Sequence, residues 1–166
     1  MGKVDGMDHL KVLKSFPILS HIVDEDLKFL AGMLKEKKVR SGENVITEGM
    51  SGDEMYVLIE GKVDVLKTTV YGDQFVVATM DAKEQCVFGE MAMIDSEKRS
   101  ATVRARKDCV TLSITRKDFD RFCEERPRSG VELLRLIGIN LVRNIRAENE
   151  NLRMVYQALI EEIEAE

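Results

Sequence analysis

Over residues 35 to about 114 the hydrophobic pattern has a period of two and is cut into short pieces by Gly42, Gly49, Gly52, Gly61 and Gly72. Runs such as Met55-Tyr56-Val57-Leu58-Ile59 and Val63-Asp64-Val65-Leu66 suit strands, whose successive side chains point to opposite faces. Many short strands separated by turn residues predict a barrel or jelly roll. The glycines are read as corners where φ is positive, not as ligand contacts. Cys109-Val110-Thr111-Leu112-Ser113-Ile114 alternates as a last strand should.

The flanks have a helical period. Leu10, Leu13 and Phe16, then Ile18 and Ile22, lie before the acidic cluster Asp24-Glu25-Asp26, and Leu27, Leu30, Met33 and Leu34 share a face after it. Pro17 separates the two pieces, and Asp24 is the expected N-cap of the second. Residues 116–125 form a short helix that Pro127 breaks, and a long helix runs from about Ser129 to the end. The expected fold is therefore mainly β with flanking helices. It comprises an N-terminal helical segment over 1–34, a double-stranded β-helix (jelly-roll) barrel over 35–115, and a hinge helix and long C-terminal helix over 116–166.

Residues 88–103 carry the chemistry. Gly89 lets the backbone turn tightly and approach a ligand, and residues 90–94 suit one short helical turn whose N–H groups face an anion. Arg99 supplies a planar fork able to hold two phosphate oxygens, and small Ser100 and Ala101 let the next amides come close. A carboxylate only accepts hydrogen bonds, so Glu90 suits a ribose hydroxyl and not a phosphate. Together these groups read as a sugar-phosphate pocket.

The segment resembles the phosphate-binding cassette of the cyclic nucleotide-binding domain family, with Phe88-Gly89-Glu90-Met91-Ala92 followed by Arg99-Ser100-Ala101-Thr102-Val103. The glycines and acids of residues 41–63 repeat in a pattern similar to that family's strands, and the likeness covers roughly residues 10–150. The resemblance implies that Gly89, Met91 and Ala92 offer backbone amides, that Glu90 takes the ribose 2′-hydroxyl, and that Arg99 grips the cyclic phosphate beside Ser100. It implies a sensor in which ligand draws the cassette inward and the helix after Pro127 swings over the base. Ser100 leaves cAMP and cGMP both open, with cAMP favoured; Arg143 and Asn144 on the long helix are the candidate base caps.

Other classes lack the residues they need. His9 and His21 both fall in the N-terminal helices, so a metal-dependent jelly-roll enzyme has no ligand set, and no nucleophile–base pair or P-loop can be assembled. No cofactor, metal or catalytic residue is expected. A net charge of −5 disfavours a nucleic-acid surface. Three cysteines, Cys86, Cys109 and Cys123, without C-x-x-C spacing suggest neither a disulfide framework nor a zinc site. Met1-Gly2 opens like a myristoylation site, but Gly6 stands where Ser or Thr is needed. The longest apolar stretch, residues 133–139, contains Arg135 and is too short to span a bilayer, so a cytoplasmic location is expected.

A truncated transcription regulator of the catabolite-activator type and a ligand-free dimerisation scaffold are the alternatives. Glu161, Glu162, Glu164 and Glu166 place negative charge at the negative end of the last helix. That placement costs roughly 0.3–1 kcal/mol per residue if the helix ends there. Leu134, Leu141, Ile145, Leu152, Val155 and Leu159 form an apolar seam, from which a parallel homodimer through the C-terminal helix is expected.

Overall fold

The computed structural model of the chain describes residues 8–165. Met1, Gly2, Gly6, Glu166 and the Ile18 side chain lie outside the described residues. The element order is α1 (His9–Lys14), α2 (Asp24–Met33), β1 (Lys35–Val39), β2 (Asn44–Ile46), β3 (Glu54–Glu60), β4 (Lys62–Thr68), β5 (Gln74–Asp81), β6 (Val87–Phe88), β7 (Thr102–Ala105), β8 (Cys109–Thr115), α3 (Arg116–Glu125) and α4 (Pro127–Glu164).

Turn chemistry places these boundaries. At Gly61, between β3 and β4, φ is +91°, and an added Cβ would lie 2.4 Å from the Asp108 carbonyl oxygen. Only glycine fits both conditions. Thr115 caps α3, its Oγ1 accepting from the Asp118 N–H at 3.2 Å. Two expected boundaries move. Asp24 is the first residue of α2 and Val23 its N-cap, so the acids serve the positive helix end without a side-chain cap. Pro127 begins α4 instead of preceding it, because a first-turn proline loses no intrahelical bond.

The strands form two four-stranded antiparallel sheets, ordered β1-β8-β3-β6 and β2-β7-β4-β5. The expected closed jelly-roll barrel is thereby corrected. Among the described residues no ladder joins the sheets, and both stay open with β1, β6, β2 and β5 as edges. At two residues β6 and at three β2 are too short to carry a closing ladder. The class is also mixed α/β and not mainly β, since α4 alone runs 38 residues. Alternation in sequence shows that strands form but does not show which edges pair.

The homodimer expected through α4 is withdrawn with the barrel. It rested on an apolar seam that a lone helix projecting from the barrel could not cover. Open sheets remove that premise: edge strand β5 leaves Phe75 and Val76 half-exposed, as exposed as Leu152 and Leu159 on α4.

Two cores result. Val39, Leu58, Val63, Phe88, Val103 and Cys109 pack between the sheets. The second core joins Leu13, Phe16 and Leu30 of the N-terminal segment to Ile114, Phe122, Leu133 and Ile137 of β8, α3 and α4. The base of α4 is fixed against α2 and α3. Arg126 pairs with Asp26 at 2.8 Å, Ser129 donates to Asp26 at 2.6 Å, and a Cβ on Gly130 would lie 2.8 Å from Cys123 Cα. Beyond Leu141 every described residue of α4 is exposed. No helix among the described residues is long and apolar enough to cross a membrane.

Gly61→Ala is expected to destabilise the fold by at least about 1–2 kcal/mol, the cost of a left-handed backbone alone, with the Asp108 clash added. Urea unfolding checks it. An unchanged midpoint would mean that the β3–β4 turn relaxes freely.

Candidate functional site

The turn after β6 builds the site. Gly89 has φ of +74°, and a Cβ there would meet Ile46 Cδ1 at 2.9 Å, Arg99 Nη1 at 3.0 Å and the Glu54 carbonyl at 3.1 Å. Residues Glu90–Met93 follow as one 3-10 turn capped by Gly89 with no side-chain hydrogen bond. The Ala92 N–H is used inside this turn, donating to the Gly89 carbonyl at 3.3 Å. Phe88 is held from below by stacking on Tyr56, with centroids 5.4 Å apart. Tyr56 in turn donates to Glu54 at 2.8 Å, and Ser113 donates to the other oxygen of that carboxylate at 3.0 Å. Burial, and then the Glu54 carboxylate, push the Tyr56 hydroxyl's pKa well above its ordinary value, so this brace stays protonated.

Arg99 is fastened at both its ends. Its N–H donates to the Met50 carbonyl and its carbonyl accepts from Gly49, each at 2.9 Å. Its guanidinium donates to the Gly89 carbonyl at 3.1 Å and to the Glu54 carbonyl at 2.6 Å. Gly52 lies against the other side, where a Cβ would come within 2.7 Å of Nε. Five donors on a guanidinium less the two engaged leaves three for an anion. Ser100 beside it is exposed, its Oγ 3.7 Å from Met91 Sδ and its carbonyl accepting from Lys67 Nζ.

Glu90 is 5% exposed. Its Oε1 accepts from Asn140 Nδ2 at 2.8 Å and from Asn144 Nδ2 at 3.3 Å, both on α4. Burial raises its pKa above the usual carboxylate value, while its own backbone N–H, Asn140 and the Arg99 charge pull the other way. Glu90, Met91, Ala92, Arg99, Ser100 and Asn144 line one cleft of about 140 Å³. The structure therefore brings together the residues expected for ribose and phosphate. The two candidate base caps separate: Asn144 lines this cleft, while Arg143 lines a neighbouring groove with Phe16, Glu84 and Gln85.

Sequence reasoning missed Asn140, Gly52 and the Glu54 carbonyl. The i, i+4 spacing of Asn140 and Asn144, which puts both on one helix face, was the available signal for the first. Nothing in the chain distinguishes Gly52 from the purely conformational glycines. Among the described residues no group of three or more His, Cys, Asp or Glu is placed to hold a metal ion.

Comparison with known proteins agrees with this geometry. The family model described as cyclic nucleotide-binding domain matches residues 36–126. The chain is 32% identical over 114 residues to the cAMP-dependent protein kinase regulatory subunit of Dictyostelium discoideum, covering 67% of this chain and 34% of that protein. It thus spans about a third of the length of such curated relatives. Among solved structures, the regulatory domain of Toxoplasma gondii PKA with cAMP is 28% identical with a TM-score of 0.63, covering 69% of this chain and 43% of that one. A cyclic nucleotide-binding domain from Methylobacillus flagellatus superposes with a TM-score of 0.76 over 88% of this chain and 82% of that one; at 22% identity this likeness shows the fold alone.

Replacing Glu90 tests its burial without ligand. With its pKa raised on folding, the folded state binds the proton more tightly, so the parent loses stability as pH rises from the unfolded pKa through the folded one. Glu90→Gln removes that dependence and keeps an acceptor for Asn140. The variant should gain stability relative to the parent across this interval, read by thermal unfolding at several pH values. A constant difference would mean that Glu90 is ionised as easily folded as unfolded.

Proposed function

The chain belongs to the cyclic nucleotide-binding domain family, and from that premise we propose that it is a sensor for a 3′,5′-cyclic nucleotide, cAMP in preference to cGMP, that passes occupancy to α4. As a member it is a regulatory module and not an enzyme. The observation that carries the proposal is one cleft with a buried carboxylate at one side and a partly satisfied guanidinium at the other, joined by the Gly89 turn.

In this reading Arg99 meets the cyclic phosphate with its remaining donors, supported by the amides at Gly89 and Met91, while the expected Ala92 amide is already engaged by the Gly89 carbonyl. Glu90 accepts the ribose 2′-hydroxyl, and Ser100 stands beside the phosphate. The guanidinium also offsets the repulsion between the phosphate and Glu90. The choice of cAMP is supported by the cAMP-dependent regulatory subunits among the relatives. For occupancy to move α4, ligand must bind one arrangement of the helix better than another, by several kcal/mol for a nearly complete shift.

Calorimetric titration with cAMP and cGMP tests the reading directly. The chain should bind both, cAMP more tightly, and Arg99→Ala should weaken binding by roughly 2–4 kcal/mol, with thermal unfolding read alongside because the variant also loses the bonds to the Gly89 and Glu54 carbonyls. Unaltered affinity in that variant would remove Arg99 from the phosphate site. Ser100→Thr should improve cGMP relative to cAMP and Ser100→Ala the reverse, by about one hydrogen bond, 0.5–1.5 kcal/mol. Ratios that ignore both changes would mean that the base is read from α4.

A further inference from the structure

We propose that Asn140 and Asn144 are positioning residues for the ribose contact, so that the 2′-hydroxyl is recognised through α4 and not by the cassette alone. The inference rests on the assignment of the cleft to a cyclic nucleotide. It starts from how one carboxylate is shared. Both amides donate to the same oxygen, Glu90 Oε1, at 2.8 and 3.3 Å. A carboxylate has two oxygens, each with two acceptor positions. Two donors from one helix turn onto one oxygen fix the plane of the group and leave Oε2 as the oxygen available to a ligand.

Asn140 is itself held. Its Nδ2 also donates to the Val87 carbonyl at 3.2 Å, in the strand that leads into the Gly89 turn. The same amide therefore ties α4 to the backbone of β6 and to the side chain two residues beyond it. Burying a carboxylate is costly unless its oxygens find donors, and for Glu90 those side-chain donors come from α4. Apolar contact between α4 and the core runs through Leu133 and Ile137 to the half-buried Leu141, and the described residues past it are exposed. The asparagine pair, flanking Leu141, thus lies at the outer end of the docked part of α4, and its contact is with the group that reads the ribose. If α4 orients Glu90 for the hydroxyl, then by linkage a bound hydroxyl holds α4 in the same pose.

The test compares cAMP with 2′-deoxy-cAMP by calorimetry on the parent chain, Asn140→Ala, Asn144→Ala and Glu90→Ala. The parent should prefer the ribo form. Asn140→Ala should lower that preference by about 3- to 10-fold, one hydrogen bond's worth, with the deoxy affinity changed less than about twofold. Asn144→Ala, with the longer contact at an exposed position, should act in the same direction by less. An equal loss for both ligands, or an unchanged ratio in both asparagine variants, overturns the proposal and leaves the pair a packing contact. If Glu90→Ala leaves the ratio unchanged, Glu90 does not read the ribose and the functional assignment falls with the proposal. If Glu90→Ala abolishes the ratio while the asparagine variants keep it, the assignment stands and this proposal alone fails.

Discussion

A guanidinium seated on main-chain carbonyls organises this molecule. The Arg99 main chain pairs with Gly49 and Met50, and its guanidinium joins the start of β3 at Glu54 to the end of β6 at Gly89. Charge-assisted bonds of this kind are about twice as strong as neutral ones. They demand close approach, and Gly52 and Gly89 supply it by having no Cβ to interpose. The cleft follows from that arrangement. With Arg99 held, the 3-10 turn carrying Glu90 has a fixed origin, and the Tyr56–Phe88 stack beneath it keeps the turn from sinking into the core between the sheets.

The second constraint is the burial of Glu90. An isolated carboxylate this deep would be expelled or protonated, and its neighbours lessen that tendency without removing it, since its pKa stays raised. Besides its own backbone N–H and the Arg99 charge, the side-chain donors that do so sit on α4, so the electrostatics of the cassette depend in part on where that helix lies. Coupling between site and helix then needs no long relay. The asparagines of α4 reach Glu90 and the strand before it directly, through Asn140 to Glu90 at 2.8 Å and to the Val87 carbonyl at 3.2 Å and through Asn144 to Glu90 at 3.3 Å.

Much of the site was legible in the sequence and part of the fold was not. The Phe88-Gly89-Glu90 and Arg99-Ser100-Ala101 pieces converge on one cleft because a glycine with positive φ and a forked cation have few alternative uses at that spacing. Strand existence followed from alternation, which is local. Closure did not, because pairing between edge strands is a property of register and of lengths such as the two residues of β6, which alternation does not encode. The same limit hid Gly52, whose role is contact with a side chain 47 positions away. Asn140 was hidden for a different reason: an asparagine on a mostly polar helix face looks solvated until the helix is placed.

The anchoring of α4 determines what a small change at Glu90 does at a distance. Its base is pinned through Asp26, Ser129 and the close packing of Gly130 on Cys123, and its last contact with the site is at Asn140 and Asn144. From Asn140 to the end of α4 at Glu164 the helix extends about 36 Å at 1.5 Å per residue. A tilt of about 10° at that point moves the far end by about 6 Å by this geometry. Displacements too small to disturb the sheets thus become large at the tip. Because every described residue of α4 past Leu141 is exposed, such a tilt breaks no buried apolar contact there. A tilt about this point therefore costs the polar bonds at the middle of α4, where Glu90 is shared between the helix and the cleft, together with the apolar contact of Leu141.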